Sequence, residues 1–479
     1  MKNLINGEHV DAVNGAIIEL VNPATGEYID TVPNSTAEDV DKAVKAARVA
    51  QKGWAKMPMH ERGRILEKYV EIVESRKETL AKMLSDETGK PIKEAMAEMG
   101  NVRTLTMGYV ERAKHLYGIN MPGSAEPGSE KTIQYTERVP LGVVGAIIPF
   151  NFPIDLFGQK VPSALIMGNA VIVKPSNYNP LTVLTLCDIL MEAGVPAGVI
   201  QGITGDGPVA GQALAGHPGV DLVSLTGSTA AGIQTMGTAS KNLTHVSLEL
   251  GGNDAFILLD DGDVDLAVEE TVWGRMYNAG QVCCASKRFL IHNAIKEQFV
   301  QKMKDRISKI KIGQPSEEST DMGCLINVAA AKRVEDQVNE MVSLGAKIVC
   351  GGQRTGAFYT PTILNDVTKD MPVAKDMEIF GPVVSVIGFD TPEEAIAIAN
   401  QSPFGLCGCV FSRNFSRAMR IGERLECGAV VINGASFWRS VEMPFGGWKQ
   451  SGIGNEGVSA TLEEMSKIKT VVLKNILKG

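Results

Sequence analysis

Short runs of Val and Ile that stop at Pro or Gly, separated by helical stretches, constrain this chain more than any other feature. The first group reads VVGAIIPF (143–150), AVIVKPS (170–176), GVIQGITG (198–205) and DLVSLTGS (221–228), with helical segments such as Pro180 to Ala193 and Pro208 to Ala215 between them. This alternation predicts parallel α/β architecture. Ligands of such sheets sit beyond the carboxyl ends of the strands, so Asn151, Lys174 to Asn177, Gly205 to Gly207, and Gly227 with Ser228 become candidate contacts. A second alternating region follows Gly252. It runs through AFILLDD (255–261), a helix around Val264 to Tyr277, RFLIH (288–292), AKIVCGG, SVIGFD, CGCVFS and GAVVIN, with helices near Ala329 to Ser343 and Pro392 to Asn400.

Earlier in the chain, Ser35 with Glu38 predicts a capping box ahead of Val40, Ala43, Val44 and Ala47 at helical spacing. Met59 to Thr88 and Ile92 to Tyr117 read as further helices. Two strand-like segments lie apart from both alternating regions, Ile119 to Glu137 and KIKTVVLKNIL near the end, and together they suggest an exposed ribbon able to pair between subunits. The 479 residues correspond to roughly three units at about 100 to 200 residues per domain.

Composition narrows the function. A net charge of -8 opposes broad attraction to nucleic acid or anionic membrane. The first residues show no positive segment leading into an apolar one. The apolar stretch Leu141 to Phe157 is broken by Asn151, Pro153 and Asp155. A cytoplasmic protein is expected, without membrane or nucleic-acid partner. Eight scattered Cys read as reduced thiols, and neither the adjacent Cys283 and Cys284 nor Cys407 with Cys409 has the paired spacing of a zinc site, so no metal is expected.

Two local patterns carry chemistry. Asn278 to Ala285 places Cys283 and Cys284 after a Gly-containing turn, which suits either small buried apolar residues or a nucleophile. Glu249 follows a strand at Thr244 to Leu248, at the junction of the two alternating regions, where it is either a solvated turn residue or a base for the thiol or for water.

Taken together, PFNFP (149–153), VKPS (173–176), LTGS (225–228), LELGG (248–252), GQVCCA (280–285), EIFGPV (378–383) and PFGGWKQSGIGNEG (444–457) resemble, in order, the motifs of the NAD(P)-dependent aldehyde dehydrogenase superfamily. The resemblance covers nearly the whole chain. It implies an α/β fold with two Rossmann-like parallel-sheet domains and a small β oligomerisation ribbon. Residues 1–118 and 141–249 would bind dinucleotide, 250–458 would form the catalytic domain, and 119–140 with 459–479 would form strands that make a dimer or tetramer.

The resemblance makes Cys283 the nucleophile, Asn151 with the Cys283 backbone N–H the oxyanion donors, and Glu249 the residue that activates water. Glu456 matches a family carboxylate that relays protons. Cofactor contacts carry over to Ile148, Pro149, Phe150, Lys174, Ser176, Asn177, Gly207, Gly211, Thr226, Gly227, Ser228, Leu250, Glu378 and Phe380. Lys174 would reach the adenosine ribose, Gly227 and Ser228 the pyrophosphate, and Glu378 with Phe380 the nicotinamide ribose and ring.

Many NAD-preferring members carry Glu where this chain has Asn177, so NADP is expected to be tolerated beside NAD. Leu156, Gln159, Tyr277, Trp438 and Arg439 would face the aldehyde. Arg439 either pairs with Glu442 at the surface or turns inward toward an anionic substrate. A small polar aldehyde of the lactaldehyde or succinate semialdehyde kind is expected. Coenzyme A-acylating relatives typically lack the Glu of LELGG, and a non-catalytic protein on this scaffold would be expected to lose Cys283, Glu249 or Asn151, so Glu249 favours hydrolysis.

Overall fold

The computed structural model describes residues 1–475. Its first large sheet has the strand order Glu8–Val10, Asn3–Ile5, Ile200–Gly202, Ala170–Lys174, Val143–Ile147, Leu222–Thr226, His245–Glu249 and Gly452–Ile453. The five strands from Ile200–Gly202 to His245–Glu249 are parallel, as the alternation predicts, and antiparallel strands flank them on both edges. The run AVIVK is buried at every position because helices cover both faces of the sheet. The second sheet runs Lys347–Cys350, Thr362–Val367, Val383–Phe389, Ser286–His292, Asp254–Leu258, Cys407–Phe411 and Ala429–Ile432. Only its Lys347–Cys350 edge is antiparallel.

The helix Ala37–Lys56 buries Val40, Ala43, Val44 and Ala47, as their spacing predicts. Its capping box is one residue later than expected, with Thr36 and Asp39 in the reciprocal pair. Ser35 is unavailable as the cap because its hydroxyl accepts from the Asn3 amide at 2.8 Å. The stretch from Met59 to Thr88 divides at Arg76 into Met59–Ser75 and Lys77–Thr88. Around Pro208 the chain forms a π turn, Gly207–Gly211, before a single helical turn, Gln212–Ala215.

The two outlying strand-like segments pair with each other. Thr132–Pro140 and Ser466–Lys474 run antiparallel in unbroken register, and Asn120–Met121 adds a third strand. Ile476 and Leu477 of the expected terminal strand lie outside the described residues. Among the described residues, no helix is long and apolar enough to cross a membrane.

The second sheet is locked to the segments beyond its strand ends by Arg288, which is 3 % exposed. Its guanidinium donates to the carbonyls of Asn253 (2.6 Å), Ile398 (2.7 Å) and Ala399 (2.9 Å). Removing it leaves these acceptors without partners, at a cost of about 1–3 kcal/mol for each buried group. Arg288→Met is expected to lower the unfolding free energy by about 3 kcal/mol or more, read from the midpoint of urea denaturation.

Candidate active site

Cys283 is delivered by an unusual backbone. After the helix Val264–Met276, the residues Asn278, Ala279 and Gly280 all take positive φ, at 50°, 52° and 75°. Two consecutive non-glycine residues in this region are costly, and they persist only where surroundings over-determine them. Here the Asn278 N–H donates to Glu94 (2.9 Å), and its side-chain amide donates to the Asn151 carbonyl (2.8 Å). At Gly280 a Cβ would stand 2.3 Å from the Gly381 carbonyl oxygen, so no other residue fits without displacing that backbone.

Asn151 comes from the other sheet, in the loop after Val143–Ile147. Its Nδ2 donates to the Gln281 carbonyl at 3.0 Å, which leaves one N–H of that amide unused by this bond. Its own carbonyl accepts from Lys90 Nζ at 3.0 Å as well as from Asn278. Lys90 is fully buried, ion-paired with Glu98, and lies 4.2 Å over the Phe152 ring.

Two cavities meet at this point. One, of about 490 Å³, is lined by Ile148, Pro149, Phe150, Ser176, Thr226, Gly227, Ser228, Leu250, Glu378 and Phe380 among others. The other, of about 370 Å³, is lined by Leu156, Gln159, Glu249, Trp438, Arg439 and Glu456. Asn151, Thr226 and Cys283 belong to both walls. A reacting group at Cys283 is therefore reachable from two sides by two different molecules.

The first cavity suits a dinucleotide. The helix Thr229–Ala239 starts at its wall with Ser228 as N-cap, and the partial positive charge there favours a pyrophosphate. Thr226 Oγ1 is buried without a protein partner. Glu378 pairs with the fully buried Lys287 at 3.2 Å and lies so close to Gly251 that a Cβ there would be 2.5 Å from its carboxylate.

Of the residues expected at the cofactor, Lys174, Asn177, Gly207 and Gly211 are not part of this wall and gather just beyond it. Lys174 Nζ donates to the Pro175 carbonyl (3.0 Å), and burial lowers its pKa to about 8. Asn177 Nδ2 donates to Asp206 at 2.7 Å. A carboxylate thus stands beside the Asn177 amide, supplied by the loop after Ile200–Gly202.

Tyr277 also departs from expectation, because it does not line the second cavity. Its ring stacks on Phe152 at 6.0 Å and packs against Phe437 at 5.3 Å. Those two rings form the wall in its place. Gln159 is held by the Tyr109 hydroxyl.

Arg439 turns inward. Its Nη1 donates to Glu456 at 3.3 Å and its guanidinium lies 4.2 Å over Phe445, while Nε and Nη2 are buried with no partner. Glu456, 3 % exposed, also accepts from the buried Lys160 at 2.7 Å. Burial alone would raise its pKa, but Lys160 and Arg439 outweigh burial and hold it below the usual carboxylate range. Glu249 has no such partner. Both its oxygens are buried and unbonded, and burial followed by repulsion from Glu456 lifts its carboxyl well above the usual range.

The adjacent Cys284 thiol lowers the Cys283 thiol below its ordinary pKa against the opposing effect of burial, and Lys287 assists. Cys284 itself is pushed well above its ordinary value. The sequence reading gives Cys284 no role, passes over Lys287, Lys160 and Lys90, and takes in Asp206 only as part of the stretch Gly205 to Gly207. The one local signal was Lys287-Arg288 at the head of an apolar run, since cations in a strand buried on both faces must find partners.

Similarity to known proteins agrees with this geometry. The Aldehyde dehydrogenase family matches residues 9–471. The chain is 37% identical over 478 residues to a mitochondrial succinate-semialdehyde dehydrogenase of Oryza sativa subsp. japonica, covering 99% of this chain and 90% of that one. It is 36% identical over 475 residues to a 3-sulfolactaldehyde dehydrogenase of Pseudomonas putida, covering 98% and 96%. Among solved structures, an E. coli NADP-dependent enzyme superposes with a TM-score of 0.95 at 36% identity, over 99% of this chain and 98% of that one. A betaine aldehyde dehydrogenase from Staphylococcus aureus in complex with NAD+ gives 0.95 at 35% identity, over 100% and 95%.

The influence of Cys284 on Cys283 is open to direct test. In Cys284→Ala the pH midpoint for iodoacetamide alkylation of Cys283 is expected to move upward. An unmoved midpoint in a folded variant would mean that the neighbouring thiol does not tune the nucleophile.

Proposed function

The chain belongs to the aldehyde dehydrogenase family and is an NAD(P)-dependent aldehyde dehydrogenase; we propose that its substrate is a short aldehyde bearing an anionic group at the end remote from the carbonyl. The observation that carries this reading is the pair of unpartnered donors on Arg439, Nε and Nη2, in the wall of the cavity that contains Cys283. These two N–H groups lie on one edge of the guanidinium and match the two oxygens of a carboxylate or sulfonate. Leaving buried charged donors unpaired is costly, and a substrate anion removes that cost.

The charges nearby favour the same conclusion. Burial and repulsion shift Glu249 toward its neutral form, and Glu456 faces two cations, Lys160 and Arg439. Two of the four similar proteins named above take, by their names, aldehydes of this kind: succinate semialdehyde carries a carboxylate and 3-sulfolactaldehyde a sulfonate.

In the reaction, the Cys283 thiolate attacks the aldehyde carbon, and the alkoxide that forms is held by the Asn151 amide and the Cys283 backbone N–H. The dinucleotide supplies the hydride acceptor that takes this adduct to a thioester. Glu249 then removes a proton from water, the hydroxide adds to the thioester carbon, and the carbon–sulfur bond breaks to release the carboxylic acid and the thiolate. Glu456, between Lys160 and Arg439, can pass the proton from Glu249 outward. Residues 1–118 with 141–249 serve the dinucleotide and 250–458 serve catalysis, while the ribbon strands support self-association as a dimer or tetramer. The amide at Asn177 by itself admits NADP as well as NAD.

Arg439→Met is expected to reduce kcat/KM at least tenfold for succinate semialdehyde or 3-sulfolactaldehyde while changing it much less for propionaldehyde. Equal losses on charged and neutral aldehydes would remove the proposed substrate class. Because Glu249 must lose a proton to act, and its pKa is raised, kcat is expected to climb with pH above the usual carboxylate range. Glu249→Gln is expected to abolish that climb and to yield a single burst of NAD(P)H with accumulation of acyl-enzyme, seen as a mass increase on Cys283.

A further inference from the structure

The parallel strands Ile200–Gly202, Ala170–Lys174, Val143–Ile147 and Leu222–Thr226 are neighbours in that order. Residues after the last two line the dinucleotide cavity beside Cys283, and Ser176 and Tyr178 extend its wall past the end of Ala170–Lys174. The next strand end, farther from the nucleophile, carries the loop that contains Asp206.

That loop holds its carboxylate in place. The Asp206 N–H donates to Asn34 Oδ1 at 3.1 Å, and its carbonyl accepts from Val209 (3.1 Å) and Ala210 (2.8 Å). One carboxylate oxygen accepts from Asn34 Nδ2 at 3.0 Å and the other from Asn177 Nδ2 at 2.7 Å. Both partners are neutral amides, so they orient the charge without cancelling it. Because the Asn177 amide nitrogen faces the carboxylate, its oxygen is left over, and that atom is buried with no partner. Asn177 Oδ1 and Asp206 therefore present acceptors only. Lys174, which packs beside Gly211 and bonds only its neighbour's carbonyl, is the nearby donor.

An acceptor pair facing one ammonium suits a vicinal diol, whose hydroxyls give protons to the acceptors and take one from the lysine. A phosphate ester on one of those oxygens has no proton to offer and brings negative charge next to the Asp206 carboxylate.

We propose that Asp206 makes this enzyme prefer NAD to NADP, its carboxylate accepting from the adenosine ribose hydroxyls and repelling a 2′-phosphate, with Asn34 and Asn177 as the residues that position it. The proposal rests on the reading that Lys174 marks the adenosine ribose site. It reverses what Asn177 implies alone: the acid that a Glu would bring at that position arrives from a different loop.

The test is the binding of NAD+ and of NADP+ to the full-length protein, by isothermal titration calorimetry without aldehyde, alongside kcat/KM for each. The wild type is expected to bind NAD+ at least tenfold more tightly. Asp206→Asn is expected to narrow that ratio at least tenfold, chiefly by tightening NADP+, and Asp206→Ser, which keeps an oxygen acceptor in the loop, is expected to do the same. Asn34→Ala is expected to move it in the same direction by less. A wild type without preference for NAD+, or a ratio unchanged in both Asp206 variants while each dinucleotide still binds, overturns the proposal alone. Failure of the wild type to bind either dinucleotide overturns it together with the reading it rests on.

Discussion

The carbonyl of Asn151 accepts hydrogen bonds from Lys90 and Asn278, and its side-chain amide donates to the carbonyl of Gln281. Through these bonds the loop leaving the first sheet is tied to the turn that delivers the cysteine from the second. Both cavities open onto this junction, so their relative placement depends on it. The junction also buries an ion pair: Lys90 is neutralised by Glu98, and Glu98 in turn accepts from Ile154 at 2.8 Å at the start of the helix Pro153–Ile166. A buried ion pair contributes little net stability, but removing one partner strands the other, which makes the arrangement specific. The same constraint sustains the positive-φ turn at Asn278 and Ala279, whose strain is offset by bonds that exist only when both sheets are in place.

Around that junction the chain separates carboxyl groups into two protonation states by what each one touches. Glu456 lies between two cations and stays ionised, whereas Glu249, with no partner, is shifted toward its neutral form. Two acids of the same kind are thereby prepared for different tasks, one to hold charge and one to take up a proton. The thiols divide in the same way. Cys284 is pushed up while it lowers Cys283, so a residue that looks redundant in sequence favours its neighbour's ionisation.

Much of this was legible along the chain. The Val and Ile runs became strands because their pattern is local, and the residues right after them, Asn151, Ser176, Thr226 to Ser228 and Glu249, face the cavities because parallel strands all end on one side of a sheet. Tyr277 was misplaced because a helix end followed by three positive-φ residues redirects the chain, and nothing in the spacing reports that. Arg439 was undecided between Glu442 and the interior until Glu456 and Phe445, from the segment that follows it, were seen to receive it. Asp206 stood out in sequence only as part of the stretch Gly205 to Gly207, because its importance lies in its proximity to Asn177 and Asn34, which are remote in sequence.

The sequence by itself therefore determined the strand and helix order and the family resemblance, and through that resemblance the candidates for nucleophile and water-activating residue, since the motifs are carried by residues adjacent in the chain. Tertiary structure alone decided which charges meet: Lys287 with Glu378, Lys160 and Arg439 with Glu456, Asn177 with Asp206. Electrostatic and hydrogen-bond energies depend on separation in space and on the exclusion of water, and neither is set until the chain has folded around them.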